Sequence, residues 1–369
     1  MSTASPILTK PEPDFDTLVC VLNGQQEAAK VHQFELLVDG EILQAIQEKY
    51  LGQAWIPRTA ETTEAYFKQF INMHYLLGYD FVLEGVWRTV WRNHPPLPSL
   101  TAEDTAGELA RDQREWADEG KGIITSRETF EQFPWDDIGV DYEPYEIMAS
   151  HLPDGMKIAV SSCVFEHVLE NLLGYEGLFG LINDDPNLVA EIFARWGQKV
   201  YDYYKNVIAM DSVGAIFHAD DLGFRTATML APDYLREHVF GWFKKFADLA
   251  HEHGKPYWYH CCGNIYDCGV IEDIIEIGVD GLHSFEKVII EPQKFKDRYG
   301  RRIGMMGGVD MDNLCRMSEP DLRAYIRELL SVCMPNRFAL GSGNSVSNYV
   351  PVDNYLAMLD EGRKVTATM

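Results

Sequence analysis

The chain has 369 residues, 46% of them hydrophobic, enough apolar material for one large core. Its 32 Lys and Arg against 57 Asp and Glu give a net charge of −25, a surface that repels phosphate backbones and anionic lipid and argues against nucleic-acid and membrane partners. Seven cysteines, scattered and odd in number, fit reduced thiols in a cytoplasmic protein better than a secreted disulfide scaffold. No apolar run approaches the roughly 20 residues that cross a bilayer, and the stretch from Met1 to Asp16 is polar and Pro-rich, unlike a secretory signal.

In chain order, eight apolar or β-branched runs read as strands: Val31–Leu36, Asp80–Glu84, Lys157–Ser161, Gly214–His218, Pro256–Cys261, Val279–Ser284, Ile303–Gly307 and Phe338–Ser342. Helical patterns lie between most of them. Asp185 and Pro186 form an N-cap and first turn, followed at helical spacing by Leu188, Ile192, Phe193, Trp196, Val200 and Tyr203. Leu235, Val239, Trp242, Phe246 and Leu249 repeat the pattern, with Gly254 where a C-cap glycine belongs. A third helix starts at Ser318–Glu319–Pro320–Asp321. Alternating strands and helices predict an α/β fold with a parallel sheet, and eight units predict a closed (β/α)₈ TIM barrel formed by residues 1–369 as one domain.

A long insertion between strands 2 and 3, residues 86–155, breaks this rhythm. It holds His94–Pro95–Pro96–Leu97–Pro98 and the charged stretch Glu103–Glu119. A βα insertion falls on the active-site face of a barrel, so it reads as a lid or pocket wall, with a small separate domain as the alternative.

Polar side chains gather where the strands finish. They are Glu35 and Asp39; Glu84, Trp87 and Arg88; His218, Asp220 and Asp221; His260, Cys261 and Cys262; His283, Ser284 and Glu286; Asp310; and Gly341–Ser345. Each taken singly fits a helix cap, but their convergence on one rim is what a barrel enzyme needs. Trp87, Trp91, Trp135, Tyr257 and Tyr259 would wall an aromatic substrate if they face the mouth, and otherwise pack the core.

The sharpest local signal is Tyr259–His260–Cys261–Cys262–Gly263. Strand alternation sends His260 and Cys262 to one side and Cys261 to the other. An imidazole and a thiolate two residues apart can then reach one zinc ion. The alternative is a buried cysteine beside a hydrogen-bonded histidine.

His260–Cys261–Cys262–Gly263–Asn264, then Gly278–His283, Gly307–Gly308–Val309–Asp310, Gly341–Ser342–Gly343–Asn344 and Pro351–Val352–Asp353–Asn354 resemble the uroporphyrinogen decarboxylase superfamily in order and spacing. The resemblance runs from near Phe15 and is strongest from Asp211 to Asp360. That superfamily holds true decarboxylases and corrinoid-dependent zinc methyltransferases. The decarboxylases carry an arginine-rich N-terminal motif that grips a polyanion. Here the same stretch reads His32–Gln33–Phe34–Glu35–Leu36–Leu37–Val38–Asp39, whose acids would repel one. The resemblance therefore implies a methyltransferase, with zinc on His260 and Cys262. Its corrinoid would come from a partner protein, since no Asp-x-His-x-x-Gly segment is present.

Thiol-methylating relatives complete the zinc site with a cysteine after strand eight, where this chain has Asn344. Either the metal recruits another ligand, such as Glu286, Asp221 or His283, or no tight metal site exists; a site with less sulfur is a harder Lewis acid, suited to an aryl or alkyl methyl ether. Glu286, Asp221 and His283 are thus the candidate acids and ligands; Glu35, Trp87, Arg88, Asp220 and Asn344 are the candidate substrate contacts. A decarboxylase-like lyase, a methylcorrinoid:thiol methyltransferase and a non-catalytic tetrapyrrole- or corrinoid-binding protein are the alternatives. Related barrels pair as dimers, which the resemblance extends to this chain.

Overall fold

The computed structural model describes residues 7–86 and 91–366. In chain order its strands are β1 (Phe81–Gly85), β2 (Ser99–Glu103), β3 (Gln113–Ala117), β4 (Lys157–Ser161), β5 (Val213–Ala219), β6 (Tyr257–His260), β7 (Gly281–His283), β8 (Gly304–Val309) and β9 (Phe338–Ser342). Seven of them form one parallel sheet in the order β1, β4, β5, β6, β7, β8, β9, while β2 and β3 pair antiparallel as a separate hairpin. Sheet order follows chain order because each strand returns through a helix on the outside, the geometry a parallel pair requires.

Seven of the eight expected strands fall where the apolar runs place them. The first does not: residues 31–36 form no regular strand. Gln33 instead makes isolated parallel bridges to Tyr79, just ahead of β1, and to Leu340 in β9, so this segment joins the two edges of the sheet. The ladder begins normally, with Phe34 N–H on Leu340 O and Leu340 N–H on His32 O. One step further, the Ser342 amide donates at 2.9 Å to the Glu35 carboxyl rather than to backbone. A side chain thus takes the place of the next ladder bond. A Cβ at Gly341 would run into the Phe34 carbonyl, so only glycine lets the seam close.

Alternation along the strands makes two cores. Phe15, Phe34, Phe81, Phe217 and Trp258 fill the interior, with Ala159, Ala215 and Ala339 leaving room for the indole. Trp258 has the rings of Phe15, Phe34, Phe81 and Phe217 within 5.3–6.3 Å of its own. Its neighbours Tyr257 and Tyr259 face the helices and are fully buried there, and Trp91 against Trp196 and Trp135 against Phe133 are buried as well. These four aromatics are core packing, as their size favours, and none walls a substrate.

The helix expected after Asp185 runs Pro186–Ile208, with the Asp185 side chain accepting from Leu188 N–H at 3.0 Å. Ser318 caps Glu319–Cys333 in the same way. The helix expected around Leu235–Leu249 is divided into Pro232–His238 and Phe240–Glu252, with Gly254 just beyond at φ +67°. No helix among the described residues is long and apolar enough to cross a membrane.

Between β1 and β4 the chain builds the β2–β3 hairpin and the helices Arg127–Gln132 and Glu143–His151. The hairpin is tied to segments that follow strand ends. Arg111 pairs with Asp39 at 2.9 Å and Glu41 at 2.6 Å, and the Asn348 amide donates to Asp104 at 2.7 Å. Further on, Ile124 N–H bonds to Leu172 O and Tyr175 N–H to Glu119 O.

Candidate functional site

β5 and β6 are paired so that Ala219 lies opposite His260, and both strands end there. The chain after β5 continues Asp220–Asp221 and after β6 Cys261–Cys262, so equivalent steps past two adjacent strands deliver a carboxylate and a thiol to one spot. The turns beyond them touch: a Cβ on Gly263 would lie 2.5 Å from Gly223 backbone. Glycine in the His-x-Cys-Gly run is what lets the two loops approach.

The Asp221 oxygen, the His260 nitrogen and the Cys262 sulfur all lie within 4.8 Å of one another. The Cys262 thiol donates to Asp221 Oδ2 at 2.7 Å, and His260 Nε2 is 3.7 Å from Asp221 Oδ1. Cys261 points away into the core, its sulfur accepting from Leu222 N–H. The alternation read from sequence is what the strand adopts.

Electrostatics favour a cation here. Burial pushes the Cys262 thiol up, and the neighbouring Asp221 charge pushes it further. Burial also raises the Asp221 carboxyl, against which the Cys262 thiol and amide hydrogen bonds act. A thiol and a carboxyl both raised by burial, the thiol further by its acidic neighbour, stand beside a neutral imidazole and form a donor set that a divalent cation would stabilise. One sulfur, one nitrogen and one oxygen suit zinc, whose ligands in proteins are these three atom types.

Burial holds His260 down at about 3 and His283 well below its usual range, so both rings are neutral. Hydrogen bonding then fixes their tautomers. His283 Nε2 faces the Ser342 carbonyl at 3.1 Å, which can only accept, so the proton of His283 sits on Nε2. Its Nδ1 is therefore an acceptor, and His260 Nδ1, 2.7 Å away, must donate to it. The lone pair of His260 is left on Nε2, the nitrogen nearer Asp221. His283 lies behind His260, where it orients the imidazole as partners behind metal-bound histidines do.

The remaining expected site residues divide. Asp220 is fully buried, and its carboxylate accepts from the amides of Val164, Phe165 and Glu166 at 2.7–2.8 Å. With its oxygens engaged, it shapes the loop after β4 instead of meeting a substrate. Glu35 is 5% exposed and bound to Ser342, where residues 31–36 meet β9. Asn344 donates to Glu286 at 2.9 Å, and together they line a cleft of about 630 Å³ with Met311, Asp312 and Cys315. Trp87 and Arg88 lie outside the described residues.

The loop after β4 supplies what the sequence reading missed. Glu166 is held up by burial and by the charges of Asp221, Asp220 and Glu170, with the Asp221 amide hydrogen-bonding it in opposition. Cys163 is held up by burial and by the charges of Asp220, Glu166 and Glu170. The signal was available: Cys163 and Glu166 come two and five residues after the strand Lys157–Ser161, the one rim for which no polar candidate was taken. The chain then forms a π-helix, His167–Leu173, a form that recurs at functional sites.

Most of the chain is similar in structure to solved enzymes. A methyltransferase from Methanosarcina mazei superposes with a TM-score of 0.69 over 96% of this chain and 99% of that one, at 17% identity. A B12-independent methionine synthase from Shewanella sp. W3-18-1, solved with selenomethionine, gives a TM-score of 0.51 over 92% and 97% of the two chains, at 9% identity. At these identities the likeness establishes the fold. No family model and no curated protein sequence matches the chain.

Proposed function

We propose that the chain is a corrinoid-dependent zinc methyltransferase. It would move a methyl group from a small methylated donor, with an aryl or alkyl methyl ether favoured, to the cobalt of a corrinoid on a separate protein. The observation that carries this reading is the convergence of Asp221, His260 and Cys262 within 4.8 Å at the carboxyl ends of adjacent strands. The fold shared with a methyltransferase supports it.

Zinc held by these three residues would supply a Lewis acid that polarises a bound donor oxygen. The chain's own contribution is to prepare the site. His283 and the Ser342 carbonyl keep the His260 lone pair on Nε2, and the Gly223–Gly263 contact brings Asp221 beside Cys262. Asp221, rather than a second thiolate, is the third donor, while the Asn344 amide is turned to Glu286. A donor set with one sulfur keeps the metal hard and favours oxygen donors over thiol acceptors. A reduced corrinoid on the partner would supply the electron pair that accepts the methyl carbon as its bond to oxygen breaks, and Glu286, hydrogen-bonded to Asn344, would be the rim acid that gives the leaving oxygen a proton. The β2–β3 hairpin, tied to the segments after β9 and after residue 36, would form part of the docking face for the corrinoid protein.

Metal analysis combined with a corrinoid methylation assay tests this reading. The purified protein should hold one zinc per chain, and His260→Ala with Cys262→Ala should lose it together with methyl transfer. Zinc retained in that double variant would exclude these ligands. Fast transfer from methylcobalamin to a small thiol, with no reaction from a panel of methoxylated aromatics, would overturn the choice of donor.

A further inference from the structure

Glu35 was expected to meet substrate, yet it is buried at the seam where residues 31–36 join β9. Its contacts pose a proton-counting problem. Ser342 Oγ lies 2.5 Å from Glu35 Oε2 and 2.6 Å from the Asn344 carbonyl oxygen, while Ser342 N–H donates to Glu35 Oε1 at 2.9 Å. A serine hydroxyl carries one hydrogen, and a backbone carbonyl carries none. An ionised Glu35 would leave one of the two short oxygen–oxygen contacts without a proton. A neutral Glu35 satisfies all three: Oε2–H donates to Ser342 Oγ, Ser342 Oγ–H donates to Asn344 O, and Oε1 accepts from Ser342 N–H.

Ser342 is also the residue whose carbonyl sets the tautomer of His283, and through it that of His260. We propose that Glu35 is a neutral carboxylic acid and a positioning residue. Its proton fixes Ser342, and Ser342 with His283 then holds His260 Nε2 toward Asp221 and Cys262. The inference rests on the reading of those three residues as a metal site.

The surroundings agree. Burial raises Glu35 to about 8, opposed only by its hydrogen bonds with Ser342. The groups facing it are neutral. His74, across a cavity of about 40 Å³, is held near 4 by burial, and His283 lies well below its usual range. Tyr79 and Tyr355, whose hydroxyls share a 2.6 Å hydrogen bond, are both raised by burial, with the Glu35 charge adding to the effect. The Arg363 charge acts on the two tyrosines, lowering both against burial.

Infrared titration and zinc extraction, on wild type and Glu35→Gln, test the proposal. Wild type should show the carbonyl stretch of a protonated carboxylic acid near pH 6, lost with a midpoint near pH 8; Glu35→Gln should lack that band. Extraction of zinc by a chelator should accelerate about 10-fold in wild type above that midpoint, the scale of losing support behind a metal ligand, and stay flat in Glu35→Gln, whose amide keeps a donor toward Ser342 Oγ. Absence of the band in wild type, or Glu35→Gln losing zinc as readily as ionised wild type, overturns the proposal. A wild type that binds no zinc at all would defeat the metal-site reading, and the infrared band alone would then decide the state of Glu35.

Discussion

The two ends of the sheet treat buried charge in opposite ways. At the amino-terminal end, Asp80 is 1% exposed and fully matched: it accepts from the Asp14 amide at 2.7 Å, from Lys30 at 3.2 Å and from His32 at 2.6 Å. At the carboxyl-terminal end, Asp221, Glu166 and Glu170 crowd together, and the charges that perturb Glu166 are all carboxylates. A carboxylate matched by cations and an amide stabilises a fold; carboxylates set against one another beside a neutral imidazole and a thiol form a group that could hold a cation. The contrast is the division of labour expected of barrels, with stability at the amino ends of the strands and chemistry at the carboxyl ends.

Removing the ligands should have the largest effect and would break the comparison outright if it did not. His260→Ala and Cys262→Ala are each expected to abolish stoichiometric zinc binding, measured by elemental analysis, while leaving the melting transition of the metal-free protein nearly unchanged. The opposite pattern is expected below. Asp80→Ala leaves His32 and Lys30 without their carboxylate, and should cost about 3 kcal/mol in denaturant unfolding with zinc content intact. Zinc loss in Asp80→Ala, with folding preserved, would show that the two ends are not separate in function.

His283→Gln sharpens the comparison inside the upper site. Its ligands remain, but the acceptor that holds His260 Nδ1–H is altered, so zinc affinity should fall about 10–100-fold in chelator competition. Glu35 adds a pH signature. Its carboxyl is raised in the folded state from an ordinary value of 4.5 to about 8, so the stability it contributes is full below about 4.5 and is lost as pH rises to about 8. Unfolding free energy of wild type, relative to Glu35→Gln, should decline across that window and level off above it. The smallest effect belongs to Asn344→Cys. It removes one half-buried hydrogen bond to Glu286, worth about 1 kcal/mol, and should raise activity toward thiols only if the new sulfur reaches the metal.

Much of this organisation was legible in the residues. Seven strands, the capped helices after Asp185 and Ser318, and the shared side of His260 and Cys262 all follow from local periodicity, which acts over a few residues and survives in any context. Residues 86–155 read as a break in the rhythm of strand and helix, but the bonds that tie the β2–β3 hairpin to Asp39 and Asn348 were not legible there. The failures share a cause. Asp220 and Asp221 are adjacent and chemically identical, yet one accepts from three amides and the other lies with His260 and Cys262 in a group that could hold a metal ion. Glu35 has the same composition as a substrate-binding acid but sits on the seam, where it replaces a ladder bond.

By itself, then, the sequence determined the alternation of elements, the carboxyl-end rim and the His260–Cys262 pair, because periods of 2 and 3.6 residues are properties of the backbone. Only the tertiary structure decided which carboxylate completes that pair, which histidine stands behind it and which acid is kept neutral. Those outcomes depend on burial and on partners distant in the chain, 23 residues for His260 and His283, 41 for Asp221 and Cys262 and 307 for Glu35 and Ser342. Desolvation and proton counting act on what has been brought together, and closure of the sheet is what brings it together.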